Sequence, residues 1–140
     1  KKLLITAATV NELIRGGTTN VFQIGDCLLE GKIGEALSKI ETLLNSGEPA
    51  LRILASLTTQ TRGWLWVSLL DNQGKKDVGL IAKAAGIANP KRIYVIRKQI
   101  QGKPSILFLN LLSCLIEIEA ALKKGIIPSH AFKDNLLKQL

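Results

Sequence analysis

The stretch Pro104-Ser105-Ile106-Leu107-Phe108-Leu109-Asn110-Leu111-Leu112-Ser113-Cys114-Leu115-Ile116-Glu117 decides the fold. Proline has a fixed φ and no N–H to leave unpaired, so it suits a helix start; Gly125, downstream, suits a helix stop. Ile106, Leu107, Leu109, Leu111, Leu112, Leu115, Ile116 and Ile118 wrap nearly all round such a helix. A helix apolar on every side sits at the centre of a bundle or in a membrane. The run without a charge, Pro104 to Ile116, is only 13 residues, and Glu117 and Glu119 follow at once. A bilayer span needs roughly 20 predominantly apolar residues. The expectation is a core helix of a helical bundle, with no membrane partner.

Upstream of it, Asn89-Pro90 supplies a cap and a first-turn proline for a helix whose apolar stripe is Ile93, Ile96 and Ile100, with Lys91 and Lys98 on the opposite face. Asp77 caps the helix before that, where Val78, Ile81, Ala82 and Ala85 face inward before Gly86. A long helix runs from Pro49 to about Asp71, with a seam of Leu51, Leu54, Leu57, Thr61, Leu65 and Leu69 and with Trp64 and Trp66 in its second half. Ile33, Ala36, Leu37, Ile40, Leu43 and Leu44 repeat at the three-and-four spacing of another. Asn20 opens a helix carrying Val21, Ile24 and Leu28 and closing at Gly31. A short, weakly helical segment from Thr6 to Ile14, closed by Gly16-Gly17, reads as the end of a preceding unit. Downstream, Phe132, Leu136, Leu137 and Leu140 make an amphipathic last helix from about Ser129.

Composition agrees with this pattern. Hydrophobic residues make up 46% of the chain but aromatics only 4%, so Leu, Ile, Val and Ala must build the core, which favours packed helices over a sandwich or barrel. No strand-length alternation is present. The fold class read from the sequence is all-α, a compact bundle of five to six main helices after an N-terminal tail. The chain opens on Lys1-Lys2 and contains no methionine, so a fragment of a longer protein is expected; Leu3-Leu4-Ile5 is too short for the apolar region of a signal peptide.

Nothing in the pattern points to a reaction, metal or cofactor. Gly16-Gly17-Thr18-Thr19 is a glycine-containing turn without the Lys-Ser or Lys-Thr of a phosphate loop, and Glu117 and Glu119 point to different sides of one helix. Cys27 and Cys114 read as buried thiols of a reducing cytoplasm, and His130 as a surface or capping residue. Charge is more informative. From Lys75 to Lys103 there are eight basic residues and one acid, Asp77, within a chain of net charge +8. Such a field suits a polyanion, nucleic acid first, against the plainer reading of solvated lysines on helix surfaces.

Ile81 to Ile87 followed by this basic helix mimics a helix-turn-helix DNA reader. That motif needs apolar contacts six and nine residues beyond its glycine, where this chain has Arg92 and Val95; the inward face is Ile93, Ile96 and Ile100, so the turn is one residue too long. A structural helix pair is the better expectation, with the DNA reader as the alternative. Trp64 and Trp66, two apart, cannot point the same way, so at least one is expected to be exposed or at a subunit interface.

Several stretches, in order, resemble the C-terminal collar domain of the δ subunit of bacterial DNA polymerase III, a clamp-loader family. They are Asn20 to Gly31, with its phenylalanine and aspartate; Ala36-Leu37 through Leu43-Leu44 to Gly47-Glu48-Pro49; Gln60-Thr61-Arg62; Ile81 to Gly86; and Glu119 to Gly125. The resemblance implies a helical collar over residues 20–140 and the tail of an AAA+ lid domain over residues 1–19. It implies a non-catalytic, cytoplasmic assembly module that joins its subunit to motor subunits and δ′ in a pentameric ring. The sliding clamp would be gripped by an N-terminal module outside this sequence. Primer–template DNA is a candidate partner near Ile87 to Asn89, where some members carry an aromatic residue and this chain has Ala88. The candidate phosphate contacts are Lys91, Arg92, Arg97 and Lys98; Trp64 and Trp66 are candidate subunit contacts.

Overall fold

The computed structural model describes residues 21–139, and across them every regular element is a helix. They are α1 (21–29), α2 (Ile33–Asn45), α3 (Ala50–Asn72), α4 (Val78–Ala85), α5 (Arg92–Ile100), α6 (Ser105–Lys123) and α7 (Pro128–Leu137). Seven helices stand among the described residues where five to six were expected. The segment at Thr6–Ile14, the Gly16-Gly17 stop and the Asn20 start lie outside the described residues.

Local chemistry sets the boundaries. The Asp77 carboxylate accepts the N–H groups of Gly79 (2.9 Å) and Leu80 (3.2 Å), two donors that the first turn of α4 leaves unpaired. At the other end Gly86 takes φ +74°, which lets the Ile87 N–H turn back to the Ala82 carbonyl at 2.8 Å. Asn89 Oδ1 accepts the Lys91 N–H at 3.1 Å and so closes the turn that leads into α5.

The centre of the molecule is α3. It packs against α4, α5 and α6, while α7 bridges α2 and α6. A helix with neighbours on several sides buries more than one stripe, which corrects the expected seam. Leu54, Leu57 and Thr61 are buried, but Leu51 is 54% exposed and Leu65 and Leu69 are half-buried. Ile53, Trp64, Val67 and Leu70 complete the buried surface. Thr61 is tolerated there because its hydroxyl donates to the Leu57 carbonyl at 2.8 Å. Trp64 meets Phe108 of α6 with ring centroids 6.1 Å apart and planes tilted by 50°. Such an aromatic pair adds about 0.5–1.5 kcal/mol beyond the area it buries.

Polar ties fix the ends of this packing. The Ser68 and Ser105 hydroxyls share a 2.5 Å hydrogen bond, and Asn72 Nδ2 donates to Ser105 Oγ at 3.1 Å, so the end of α3 is held to the start of α6. Gly25 of α1 lies so close to α3 that an added Cβ would meet Gln60 Oε1 and come 3.3 Å from Trp64 Cη2. Among the described residues, no buried side-chain nitrogen or oxygen lacks a hydrogen-bond partner.

Candidate interaction surfaces

The first surface is one side of α6. Phe108, Leu111, Cys114, Leu115 and Ile118 are buried, whereas Ile106 (56%), Leu109 (46%) and Ile116 (58%) face outward. With Ser113 and Ala120, also exposed, they follow the 3–4–3–4 spacing of a stripe straight along the helix. This corrects the expectation of a fully enclosed core helix. An all-round apolar sequence need not mean an all-round buried helix, and here one side of it stays exposed. By length and composition alone α6 would also cross a bilayer; yet one whole side of it is packed on α3 and α7.

The second surface is α5, which stands as a ridge. Its stripe of Ile93, Ile96 and Ile100 is buried, as expected. Arg92 and Val95, the positions a helix-turn-helix reader turns inward, are exposed, Val95 by 53%. The α4–α5 pair is therefore a structural pair docked on α3, and the resemblance to a DNA reader stops at the sequence.

The four candidate phosphate contacts separate. Lys91 and Lys98 are exposed on the crest. Arg92 lies over the half-exposed Phe22 ring, 5.7 Å from its centroid. Arg97 is held in a fork with the Asp71 carboxylate: Nη2 donates at 2.9 Å and Nε at 3.0 and 3.2 Å, and Nη2 also reaches the Lys76 carbonyl at 3.2 Å. Its charge is matched, and it pins α5 to the end of α3. The two tryptophans separate as well. Trp64 is 3% exposed, a core residue, whereas Trp66 is 39% exposed.

Two depressions flank the ridge. On one side a groove of about 460 Å³ runs past Asn72, Lys76, Lys98, Gln101 and Lys103. On the other an apolar pocket of about 300 Å³ is walled by Phe22, Trp64, Ile87 and Ile96, with Gln60, Arg92 and Gln99 at its edge. Sequence reasoning passed over Tyr94, which is 59% exposed on the crest between Lys91 and Lys98. The available signal was its position, three residues after Lys91 and off the isoleucine stripe.

Both cysteines are free and buried. Burial raises the Cys27 thiol, helped by its 3.6 Å hydrogen bond to Glu35, and pushes Cys114 up to about 11. Among the described residues no group of three or more His, Cys, Asp or Glu side chains is gathered where it could hold a metal ion.

Among the described residues the architecture is an all-helical domain that exposes an apolar stripe along α6 and a basic ridge at α5. A family model described as the DNA polymerase III delta subunit, C-terminal domain, matches residues 18–140. The chain belongs to that family, which is part of the clamp loader of the polymerase. Comparison with curated proteins and with solved structures gave no match.

Proposed function

We propose that this chain is the non-catalytic collar module that joins its δ subunit to the motor subunits and δ′ of a pentameric, cytoplasmic clamp loader. Residues 20–140 are the collar, and residues 1–19 are the tail of a preceding AAA+ lid. The observation that carries this reading is the uncovered stripe Ile106, Leu109 and Ile116, three large aliphatic side chains in line on a helix whose other side is core. Removing apolar surface from water contributes about 25 cal/mol per Å², so such a stripe favours a partner of like character. The exposed Trp66 adds a second anchor of the kind enriched at interfaces.

In the same ring the α5 ridge faces primer–template DNA, with Lys91, Arg92 and Lys98 on phosphates and no sequence preference. Phosphate contact of this sort weakens steeply with salt. Mixing the chain with cognate motor subunits and weighing the product by light scattering tests the assembly role. Incorporation at a fixed stoichiometry supports it; a chain that stays monomeric beside assembled motor subunits overturns it.

A further inference from the structure

We infer that α3 and α6 together form a groove that takes one amphipathic helix of a neighbouring subunit, with an acidic side chain of that helix beside Arg62 and a basic one beside Glu117. The inference rests on the reading of α6's outer stripe as the surface that joins the domain to its ring, and it names the second wall and the chemistry of the occupant. The two helices lie antiparallel. Ser105 at the start of α6 is hydrogen-bonded to Ser68 and Asn72 near the end of α3, and Phe108, one turn on, meets Trp64, one turn back. One side of α3 is covered: a Cβ on Gly63 would meet Ile87 and Ile96, and Asp71 is held by Arg97 of α5. The other side carries the half-buried Leu65 and Leu69 and the exposed Arg62 and Trp66. On α6, Cys114 turns to Asn135 of α7, and the stripe lies away from it. Measured from Ser68 and Ser105, Leu65 and Leu69 of α3 and Ile106 and Leu109 of α6 are all turned by roughly 40–100° in the same sense. In an antiparallel pair the same sense of rotation leads to the same side, so the two open sides are one surface.

Floor and rims specify the occupant. Leu65, Leu69 and Leu112 are half-buried along the line where the helices meet, with Trp66 on one wall and Leu109 and Ile116 on the other. The exposed Ser113 and Ala120 alternate with the large residues of the stripe and leave room for the side chains of another helix, as ridges-into-grooves packing requires. From Ile106 to Ala120 the stripe is about 21 Å long, which matches a partner helix of about four turns. The rims differ in charge. Arg62 on α3 and Glu117 on α6 are exposed, and among the described residues neither belongs to an ion pair. Lys124 stands on the α6 rim as well, but past Ala120 at the end of the helix. A helix seated between the rims with acid on one flank and base on the other matches both charges and is fixed in its rotation. An anionic lipid surface would have no use for Glu117 in the middle of one rim.

Photo-cross-linking of the 140-residue chain mixed with cognate motor subunits separates the groove from the stripe alone. A benzophenone amino acid replaces Trp66 in one sample and Ser113 in another, and the linked peptides are identified by mass spectrometry. Both positions are expected to link to the same segment of one neighbour, within two helical turns of each other. A link from Ser113 without one from Trp66, or links from the two positions to different segments, overturns the groove and leaves the α6 stripe as the contact. No link from Ser113 overturns both. The charge rule has its own test. Arg62→Glu combined with Glu117→Arg keeps the net charge at +8 and alters only exposed residues. With helical circular dichroism matched to the parent, this double variant is expected to bind the motor subunits about tenfold more weakly or worse, because like charges then meet on both flanks. Affinity equal to the parent's overturns the stated occupant.

Discussion

Cys114 lies 5% exposed on α6, with its thiol donating to the Asn135 carbonyl at 3.4 Å, and burial lifts its pKa from an ordinary 9.0 to about 11. Between those values the unfolded chain releases the proton while the folded chain keeps it. The stabilisation is whole below pH 9 and is lost as the pH rises through about 11. Denaturant titrations at mildly alkaline and strongly alkaline pH should therefore show a smaller loss of stability in Cys114→Ala than in the parent; parallel losses would contradict this. Glycines give a second residue-scale contrast. An alanine Cβ at Gly34, in α2, meets nothing within 4 Å, so Gly34→Ala should stabilise by about 0.5–1 kcal/mol through the unfolded chain. At Gly25 the same methyl must displace Gln60 and press on Trp64, so Gly25→Ala should be neutral or destabilising by up to about 2 kcal/mol. Midpoints of urea unfolding decide it, and equal gains at both sites would refute the close approach of α1 to α3. Neither difference is written in the sequence, because both glycines simply sit inside helical patterns; only the helix across the way distinguishes them.

At the scale of elements, α5 shows what pattern reading reaches and where it stops. Asn89, expected as the cap of α5, instead holds the turn before it, with Lys91 at the N-cap. The buried isoleucines and the Asp77 cap of α4 follow from neighbours within four residues, and both were legible. Arg97 was not. Its partner Asp71 is 26 residues away, and only the fold of α3 back along α5 brings the carboxylate into its fork. A basic residue on a basic helix looks free until that contact is known. Replacing Arg97 by Ala leaves a largely buried carboxylate with only Lys76 at 3.9 Å, and should destabilise the domain by about 1–3 kcal/mol. Arg97→Lys should recover little of this, since an ammonium cannot form the fork. Thermal unfolding of Arg97→Ala, Asp71→Ala and the double variant measures the coupling. Additive effects would mean that the pair does not act as a unit.

For the whole molecule, the all-α class and the order of helices were legible because each helix is amphipathic or capped over its own length. Which helix lies at the centre was not legible. The apolar count favoured α6, yet the hub is α3, whose buried surface mixes Ile53, Gly63, Trp64 and Ser68 and so carries no strong single stripe. The excess apolar surface of α6 belongs to its outer side. Ile116 is its most exposed large apolar residue, and a charge there leaves the core untouched. The most direct measurement is the light-scattering mass of cognate motor subunits mixed with this chain or with its Ile116→Glu variant, both first shown to have the same helical circular dichroism. The parent chain is expected to enter the assembly and Ile116→Glu to remain a free species near 15.2 kDa. Equal incorporation of the two would show that α6's outer stripe is not the surface through which the domain joins its ring.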